Sequence, residues 1–325
     1  MVKIGKLVNY PISRPVRVEL TKVERRLDEF IEDVPAHLRD KIKQIMKAGG
    51  KRLRPILVIL SSASSGGVNA KTIDGAVAVE LIHLASLIHD DILDNASSRR
   101  SVRTLNYTYG HNYATACGDY LFGYAFDVLS RHDDSDLLKP LTEASMALSI
   151  GEIMERDMAG DLHQNRKDYY ERIDKKTAAL FSAACKIGAA ASGQNGDGKA
   201  NLSSYGHCLG MAFQIYDDVL DINGEEEILG KPVGNDIKEG IVTLPVILAV
   251  KDQVSNEIKE AIVDPNDNNI IRAIDFIKES GSIIDSKEIA KEFINKAKKS
   301  IMNLSNKKIQ GELLSIGDFV IDRYH

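Results

Sequence analysis

The sequence predicts an all-α protein. Three observations carry that prediction. Apolar residues return every three or four positions along nearly the whole chain. The clearest Gly and Pro clusters fall between those stretches, and alternating apolar/polar runs with hairpin signals are missing. With 325 residues, 43% of them hydrophobic and 27% charged, there is ample apolar material for a core. No internal repeat or low-complexity tract divides the chain, so one all-α domain over residues 1–325 is expected.

The elements follow in order. Leu20, Val23, Leu27, Phe30 and Ile31 form a helical stripe with charged residues between them, closed by Pro35. Leu38, Ile42 and Ile45 start a second stripe, stopped by Gly49-Gly50. After a short basic loop, Pro55 stands where a first helical turn tolerates it, before the run Ile56 to Leu60. From Ala76 to Leu93 the chain is apolar on nearly every face, which predicts a helix buried all round. Residues 111–131, 137–163, 175–192 and 199–222 repeat the helical habit, and 193–198 reads as a loop. A second long break runs from Asn223 to Val242, and beyond Leu244-Pro245 the helices become richer in Lys and Glu, as a peripheral layer would.

Composition excludes several functions. Forty-two Lys and Arg against 47 Asp and Glu give a net charge of −5, so no nucleic-acid partner is expected. Cys117, Cys185 and Cys208 are widely spaced, which argues against a disulfide framework or a zinc site and for a reducing compartment. The N-terminus lacks a signal-peptide stretch, and no window of 18 apolar residues predicts a membrane span. The expectation is a soluble, cytoplasmic protein.

The chemistry concentrates in two aspartate clusters. In His89-Asp90-Asp91-Ile92-Leu93-Asp94, residues four apart share a helical face, so Asp90 and Asp94 project together with Asp91 beside them. Bare carboxylates at a helix C-terminus repel one another and oppose the macrodipole. A divalent cation relieves both, and all-oxygen ligation with retained waters suits Mg²⁺. Tyr216-Asp217-Asp218-Val219-Leu220-Asp221 has the same spacing and also ends an apolar helix. One such cluster is often an ordinary solvated helix end; two copies make a metal-lined mouth over an apolar cavity the better reading. Basic groups accompany them: Lys51, Arg52 and Arg54 in a helix-initiating loop, then Arg99-Arg100, Lys176 and Lys231. Each alone is ordinary surface charge, but together they imply two diphosphates, one held by metals and one by bases.

With these motifs the chain resembles the trans-isoprenyl diphosphate synthases of the polyprenyl synthetase family. The motifs are GGKRLRP at 49–55, HDDILD at 89–94, Arg99-Arg100, Lys176-Thr177, FQIYDDVLD at 213–221, and Gly230-Lys231 before Asp236. The resemblance implies the isoprenoid synthase fold, a helical bundle around a deep central apolar cavity. It implies that Asp90, Asp94 and Asp217 ligate three Mg²⁺ ions that hold an allylic diphosphate, with Asp91, Asp218 and Asp221 as direct or water-mediated support. Arg99, Lys176 and Lys231 would neutralise that diphosphate, and Lys51, Arg54, His83 and Arg100 would hold isopentenyl diphosphate. Thr177 and Gln214 would steady the carbocation through their oxygens. His83 lies two turns before Asp90 on the same face, which favours that role over a satisfied core histidine. The implied reaction is ionisation of the allylic diphosphate, attack by the double bond of isopentenyl diphosphate, and loss of a proton. A homodimer is the family expectation.

Two positions depart from the family pattern: Ser101 replaces a common Gly, and Ile241 stands where short-chain members carry Lys. Ala85 and Ser86, just over one turn before Asp90, are small where short-chain enzymes place a bulky aromatic. Leu81 and Ile82, about 12–14 Å from Asp90 along the helix, are the next blocking candidates, with Tyr120 and Tyr124 on the following helix. A product of C25 to C40 from a farnesyl or geranylgeranyl primer is therefore expected; the alternative is a short-chain geranylgeranyl or farnesyl diphosphate synthase. A class I terpene cyclase shares the first aspartate motif, and Glu225 stands where its second would place an acid, but the basic loop at 51–54 would then lack a purpose. A head-to-head synthase needs a reductant, for which no dinucleotide fingerprint appears. An inactive partner subunit would be expected to lose aspartates, and all six are kept.

Overall fold

The apolar stripes become helices in the order expected. In this computed structural model, residues 10–47, 50–99, 102–224, 233–250 and 255–322 are described. Helix α1 (Arg14–Asp33) has Pro15 in its first turn and buries Val16, Leu20, Val23, Leu27, Phe30 and Ile31, the expected stripe extended by one turn. After Pro35 comes α2 (Ala36–Lys47). The basic loop leads into α3 (Leu53–Ala63), whose N-cap residue Arg52 lies in the left-handed region at φ 53°. A reciprocal capping box between Asn69 and Thr72 opens α4 (Ala70–Leu93), which is buried on most of its circumference as far as Ile88.

A pair of two-residue strands follows, β1 (Ser98–Arg99) antiparallel to β2 (Val102–Arg103), with Arg99 opposite Val102. No strand was expected: two residues are too short a run to show alternation. The chain continues through α5 (Leu105–Tyr109), α6 (His111–Ser130), α7 (Ser135–Asp157) and α8 (Arg166–Ile173). Next is a π-helical turn (Asp174–Ala178), which runs directly into α9 (Ala179–Ala191), and then α10 (Gly196–Asn223). The remaining helices are α11 (Asn235–Lys238), α12 (Leu244–Ala249), α13 (Asn256–Val263), α14 (Asp267–Glu279), α15 (Ser282–Ser300) and α16 (Lys307–Asp322).

Several boundaries differ from expectation: the short helices α5 and α8 lie outside the expected helical segments, and α11 lies inside the expected break from Asn223 to Val242. The stretch 137–163 is helical only to Asp157, and the segment 193–198, expected as a loop, is already helical from Gly196. Gly, Asn and Asp are both loop formers and helix starters, and Asp197 places an acid in the first turn of α10, where the dipole favours it.

By contacts the helices form two compact units interleaved along the chain. One comprises Met1–Ser145, Leu180–Gly206 and Lys298–Phe319, the other Met146–Ala179, His207–Ala297 and Val320–His325. In the first, α4 packs most extensively on α6, and also on α3 and α1. The His89 imidazole of α4 lies over Gly118 of α6, where a Cβ atom would fall 2.3 Å from His89 Nε2. The second unit has an aliphatic core of its own, with Val219 and Ile222 of α10 among Ile237, Val246, Ile258 and Ile274. Among the described residues no helix is long and apolar enough to cross a membrane.

Candidate active site

The first aspartate cluster closes α4, with Asp94 as its C-cap. Asp90 and Asp94 are half-buried, whereas Asp91 is only 8% exposed. Arg99 Nε donates to Asp91 Oδ1 at 2.7 Å. Asn106 Nδ2 donates to the main-chain carbonyls of Asp91 and Ala96 at 2.9 and 3.1 Å, tying the end of α4 to the segment after it. Burial pushes the Asp91 carboxyl above its ordinary range, against the opposing pull of Arg99. Arg99, expected on a diphosphate, thus has a carboxylate partner in this structure.

In the same unit lie most of the residues expected to hold isopentenyl diphosphate. Lys51, Arg54 and His83 are half-buried. The Arg54 guanidinium stands over the Phe181 ring, 4.5 Å from its centroid. Arg100 lies outside the described residues. Arg52, the middle cation of the loop, turns inward instead: its Nε donates to Glu24 Oε1 at 2.7 Å and its Nη1 to Glu80 Oε1 at 2.5 Å.

The second cluster belongs to the other unit and is wired differently. Asp218 is 4% exposed and Asp221 1%, whereas Asp217 is half-buried. Tyr169 donates its phenol proton to Asp218 Oδ2 at 2.6 Å, and Gln214 Nε2 donates to Asp218 Oδ1 at 2.8 Å. Thr177 Oγ1 in turn donates to Gln214 Oε1 at 2.6 Å. Burial pushes the Asp218 carboxyl up to about 7, against the hydrogen bonds from Tyr169 and Gln214. Asp221 Oδ2 accepts the main-chain N–H of Asp236 at 3.0 Å.

Lys176 and Thr177 sit in the π-helical turn, which α7 approaches at Gly151: a Cβ atom there would fall 2.4 Å from Lys176 N. Lys176 Nζ is 2.7 Å from Glu152 Oε2 and also pairs with Glu155. Burial works against ionisation of Glu152, but Lys176 and Arg156 together outweigh it and hold the carboxyl below the ordinary range. Lys231 lies outside the described residues. Ile241, the departure from the family pattern, is half-buried, and its main-chain N–H donates to Asp236 O at 2.7 Å.

The six aspartates therefore fall into two groups. Asp91, Asp218 and Asp221 are buried on protein donors, while Asp90, Asp94 and Asp217 are half-buried. Among the described residues no group of three or more His, Cys, Asp and Glu side chains is gathered to hold a metal. Mg²⁺ binds through one or two carboxylates and is completed by water and phosphate oxygens. The donors are hard oxygens throughout, so the residues fit that ion.

Comparison with known proteins decides the family. The polyprenyl synthetase model matches residues 35–277. The chain belongs to the polyprenyl synthetase family. It is 36% identical over 311 residues to the short chain isoprenyl diphosphate synthase of Methanothermobacter thermautotrophicus, covering 93% of this chain and 95% of that one. It is 31% identical to heptaprenyl diphosphate synthase component 2 of Bacillus subtilis, with coverage of 93% and 87%. The crystal structure of a polyprenyl synthase from Caulobacter crescentus, complexed with calcium and isoprenyl diphosphate, superposes with a TM-score of 0.91 at 30% identity, covering 96% and 97%. This polyprenyl synthetase is thus an isoprenyl diphosphate synthase with the all-α isoprenoid synthase fold, as its motifs implied.

Within this polyprenyl synthetase, the candidate chain-length residues lie along α4. Leu81, Ile82 and Ala85 are fully buried. Ser86 is half-buried and turns its hydroxyl back to the His83 carbonyl at 2.9 Å. Tyr120 and Tyr124 of α6 face Phe30 of α1, at centroid distances of 6.3 and 4.3 Å.

Several residues of the site carry no sequence signal that reading one helix at a time detects. Tyr169 and Thr177 are eight residues apart, a spacing that does not repeat on an α-helix of 3.6 residues per turn. The π turn between them takes up one extra residue, so both reach α10. Glu152 and Glu155 look like ordinary helix-surface acids until Gly151 brings α7 against Lys176.

Proposed function

We propose that the chain is a Mg²⁺-dependent trans-prenyltransferase that adds isopentenyl diphosphate head-to-tail to an allylic primer and makes a long all-trans product, C25 to C40. The observation that carries the length is the sequence of buried side chains on α4 before Asp90. Ala85 is fully buried and small, and Ser86 bonds to its own helix. α4 carries no Phe, Tyr or Trp; beyond Ala85 and Ser86, Ile82 and Leu81, about 12–14 Å from Asp90 at the helical rise, are the blocking candidates in this reading. The relatives named above include both a short-chain synthase and a heptaprenyl synthase component, so kinship alone leaves length open.

In this reading Asp90, Asp94 and Asp217 hold the metal ions, which neutralise the departing diphosphate. Asp91, Asp218 and Asp221 hold neighbouring side chains and main chain in place. Arg99, Lys176 and Lys231 bind the allylic diphosphate, farnesyl or geranylgeranyl. Lys51, Arg54, His83 and Arg100 bind isopentenyl diphosphate. Thr177 and Gln214 face the allylic carbon as it becomes cationic. The single domain assembles as a homodimer. The exposed stripe Met146, Ile150 and Ile153 on one face of α7 supports that assembly. A subunit of an unequal pair is the second reading, favoured by the likeness to a synthase component.

Product chromatography after incubation with labelled isopentenyl diphosphate and farnesyl or geranylgeranyl primer tests the length. The expected products lie between C25 and C40, and Ala85→Phe shortens them. Products that stop at C15 or C20 in the unmodified chain remove the long-chain reading.

A further inference from the structure

The resemblance assigns Thr177 and Gln214 to the carbocation through their oxygens, but not what fixes those oxygens toward it. The hydrogen bonds of the second unit decide this. Both carboxylate oxygens of Asp218 are occupied, Oδ2 by the Tyr169 hydroxyl at 2.6 Å and Oδ1 by Gln214 Nε2 at 2.8 Å. A primary amide that gives its N–H₂ to an acid turns its carbonyl the other way, and Thr177 Oγ1 donates to that carbonyl at 2.6 Å. The one proton of the Thr177 hydroxyl is thereby committed inside the chain. What Oγ1 can still offer is lone pairs.

Direction matters here. Tyr169 and Gln214 both donate toward Asp218, and Thr177 donates toward Gln214, so the chain runs one way and ends on an acid. An oxygen whose lone pairs are fixed outward before reaction stabilises positive charge as it develops, without reorganising; a hydroxyl free to present its proton opposes it. Tyr169 cannot swing away from its partner. It is fully buried, and the Arg172 guanidinium stands 5.5 Å from its ring centroid. Arg172 is itself held by Gln164 Oε1 at 2.9 Å and the Val242 carbonyl at 2.7 Å.

We propose that Tyr169 is a positioning residue for prenyl transfer: its hydrogen bond to Asp218 fixes the amide of Gln214, and through it the hydroxyl of Thr177, so that oxygen lone pairs face the allylic cation. The inference rests on the prenyltransferase reading above. Without the phenol proton, one oxygen of Asp218 is left open, the carboxylate is free to turn about its Cβ–Cγ bond, and the Gln214 amide and Thr177 hydroxyl that are aligned on it lose their fixed orientation.

The test compares Tyr169→Phe, Thr177→Val and the double variant with the full chain under saturating Mg²⁺, primer and isopentenyl diphosphate. Tyr169→Phe is expected to lower kcat about 10- to 100-fold, with both KM values within about threefold and the half-saturating Mg²⁺ concentration unchanged. The double variant is expected to be no slower than Thr177→Val alone, to within about twofold, because both substitutions break one chain. Losses that multiply, or a shift in KM or Mg²⁺ requirement with kcat intact, overturn the proposal. If Phe at 169 compromises folding, 4-fluorophenylalanine introduced there fills the hydroxyl's place without donating, and the same kcat loss is expected. An unmodified chain that fails to incorporate isopentenyl diphosphate refutes the prenyltransferase reading; an active chain whose Tyr169→Phe variant keeps full kcat refutes only this inference.

Discussion

Arg52 Nη1 lies 2.5 Å from Glu80 Oε1, with the two side chains 7% and 2% exposed. The same guanidinium reaches Glu24 of α1, so one Arg in the left-handed N-cap of α3 ties the basic loop to two other helices. Its neighbours Lys51 and Arg54 are the proposed ligands of isopentenyl diphosphate. Arg52→Met strands two carboxylates, one of them deeply buried, and is expected to cost about 3–5 kcal/mol, read as a lower urea midpoint. KM for isopentenyl diphosphate is expected to rise while KM for the primer stays constant. Arg52→Lys is expected to recover only part of both, because an ammonium lacks the fork that spans two acids.

Gly151 tests how closely α7 must approach the π-helical turn. A Cβ atom there would meet Lys176 main-chain atoms at 2.4 and 2.7 Å, and main chain yields less readily than the end of a side chain. Ala improves local helix propensity by roughly 1 kcal/mol, yet overpacking of this kind costs about 1–3 kcal/mol. Gly151→Ala is therefore expected to lower the thermal midpoint slightly and kcat strongly, by tenfold or more. A variant with unchanged kcat would show that Lys176 and Thr177 do not need this contact.

His207 and Asp174 give a pH dependence. His207 Nε2 lies 2.7 Å from Asp174 Oδ1 at the start of the π turn. That hydrogen bond is the main reason His207 is pushed from 6.5 up to about 9, and it holds Asp174 below the ordinary carboxylate range. Because the folded His binds its proton more tightly than the unfolded one, its stabilising contribution is complete below about 6.5 and is lost as pH rises through about 9. The thermal midpoint of the unmodified chain is expected to fall over that window, and that of His207→Gln to change less. Equal slopes for the two proteins would exclude the pair as the source.

The two groups of aspartates predict two kinds of failure. Asp90→Asn and Asp217→Asn are expected to raise the half-saturating Mg²⁺ concentration tenfold or more. Asp218→Asn is expected to lower kcat with little change in Mg²⁺ requirement, since its oxygens are engaged by Tyr169 and Gln214. Activity titrations against Mg²⁺ on the three variants separate the cases, and a common shift for all three would erase the distinction.

The aspartate motifs, the buried helix before the first of them and the basic loop were legible because each is local. Asp90 and Asp94 share a face by helical period alone, and α4 declares its burial by lacking a polar side. Tyr169 was not legible: its partner is 49 residues away, and the π turn breaks the period that would have aligned it with Thr177. Arg52 was legible as a cation but not as an inward one, because nothing local distinguishes it from Lys51 and Arg54. The left-handed turn that separates them is a main-chain property of a residue that seldom adopts it.

The central claim is tested most directly by incubating the purified chain alone with Mg²⁺, labelled isopentenyl diphosphate and geranylgeranyl diphosphate, and following label into the chain-extended product. Incorporation that chelation of Mg²⁺ abolishes, giving all-trans products up to C40, is the predicted result. No incorporation without an added second subunit, or a cyclised hydrocarbon in place of a diphosphate, would contradict it.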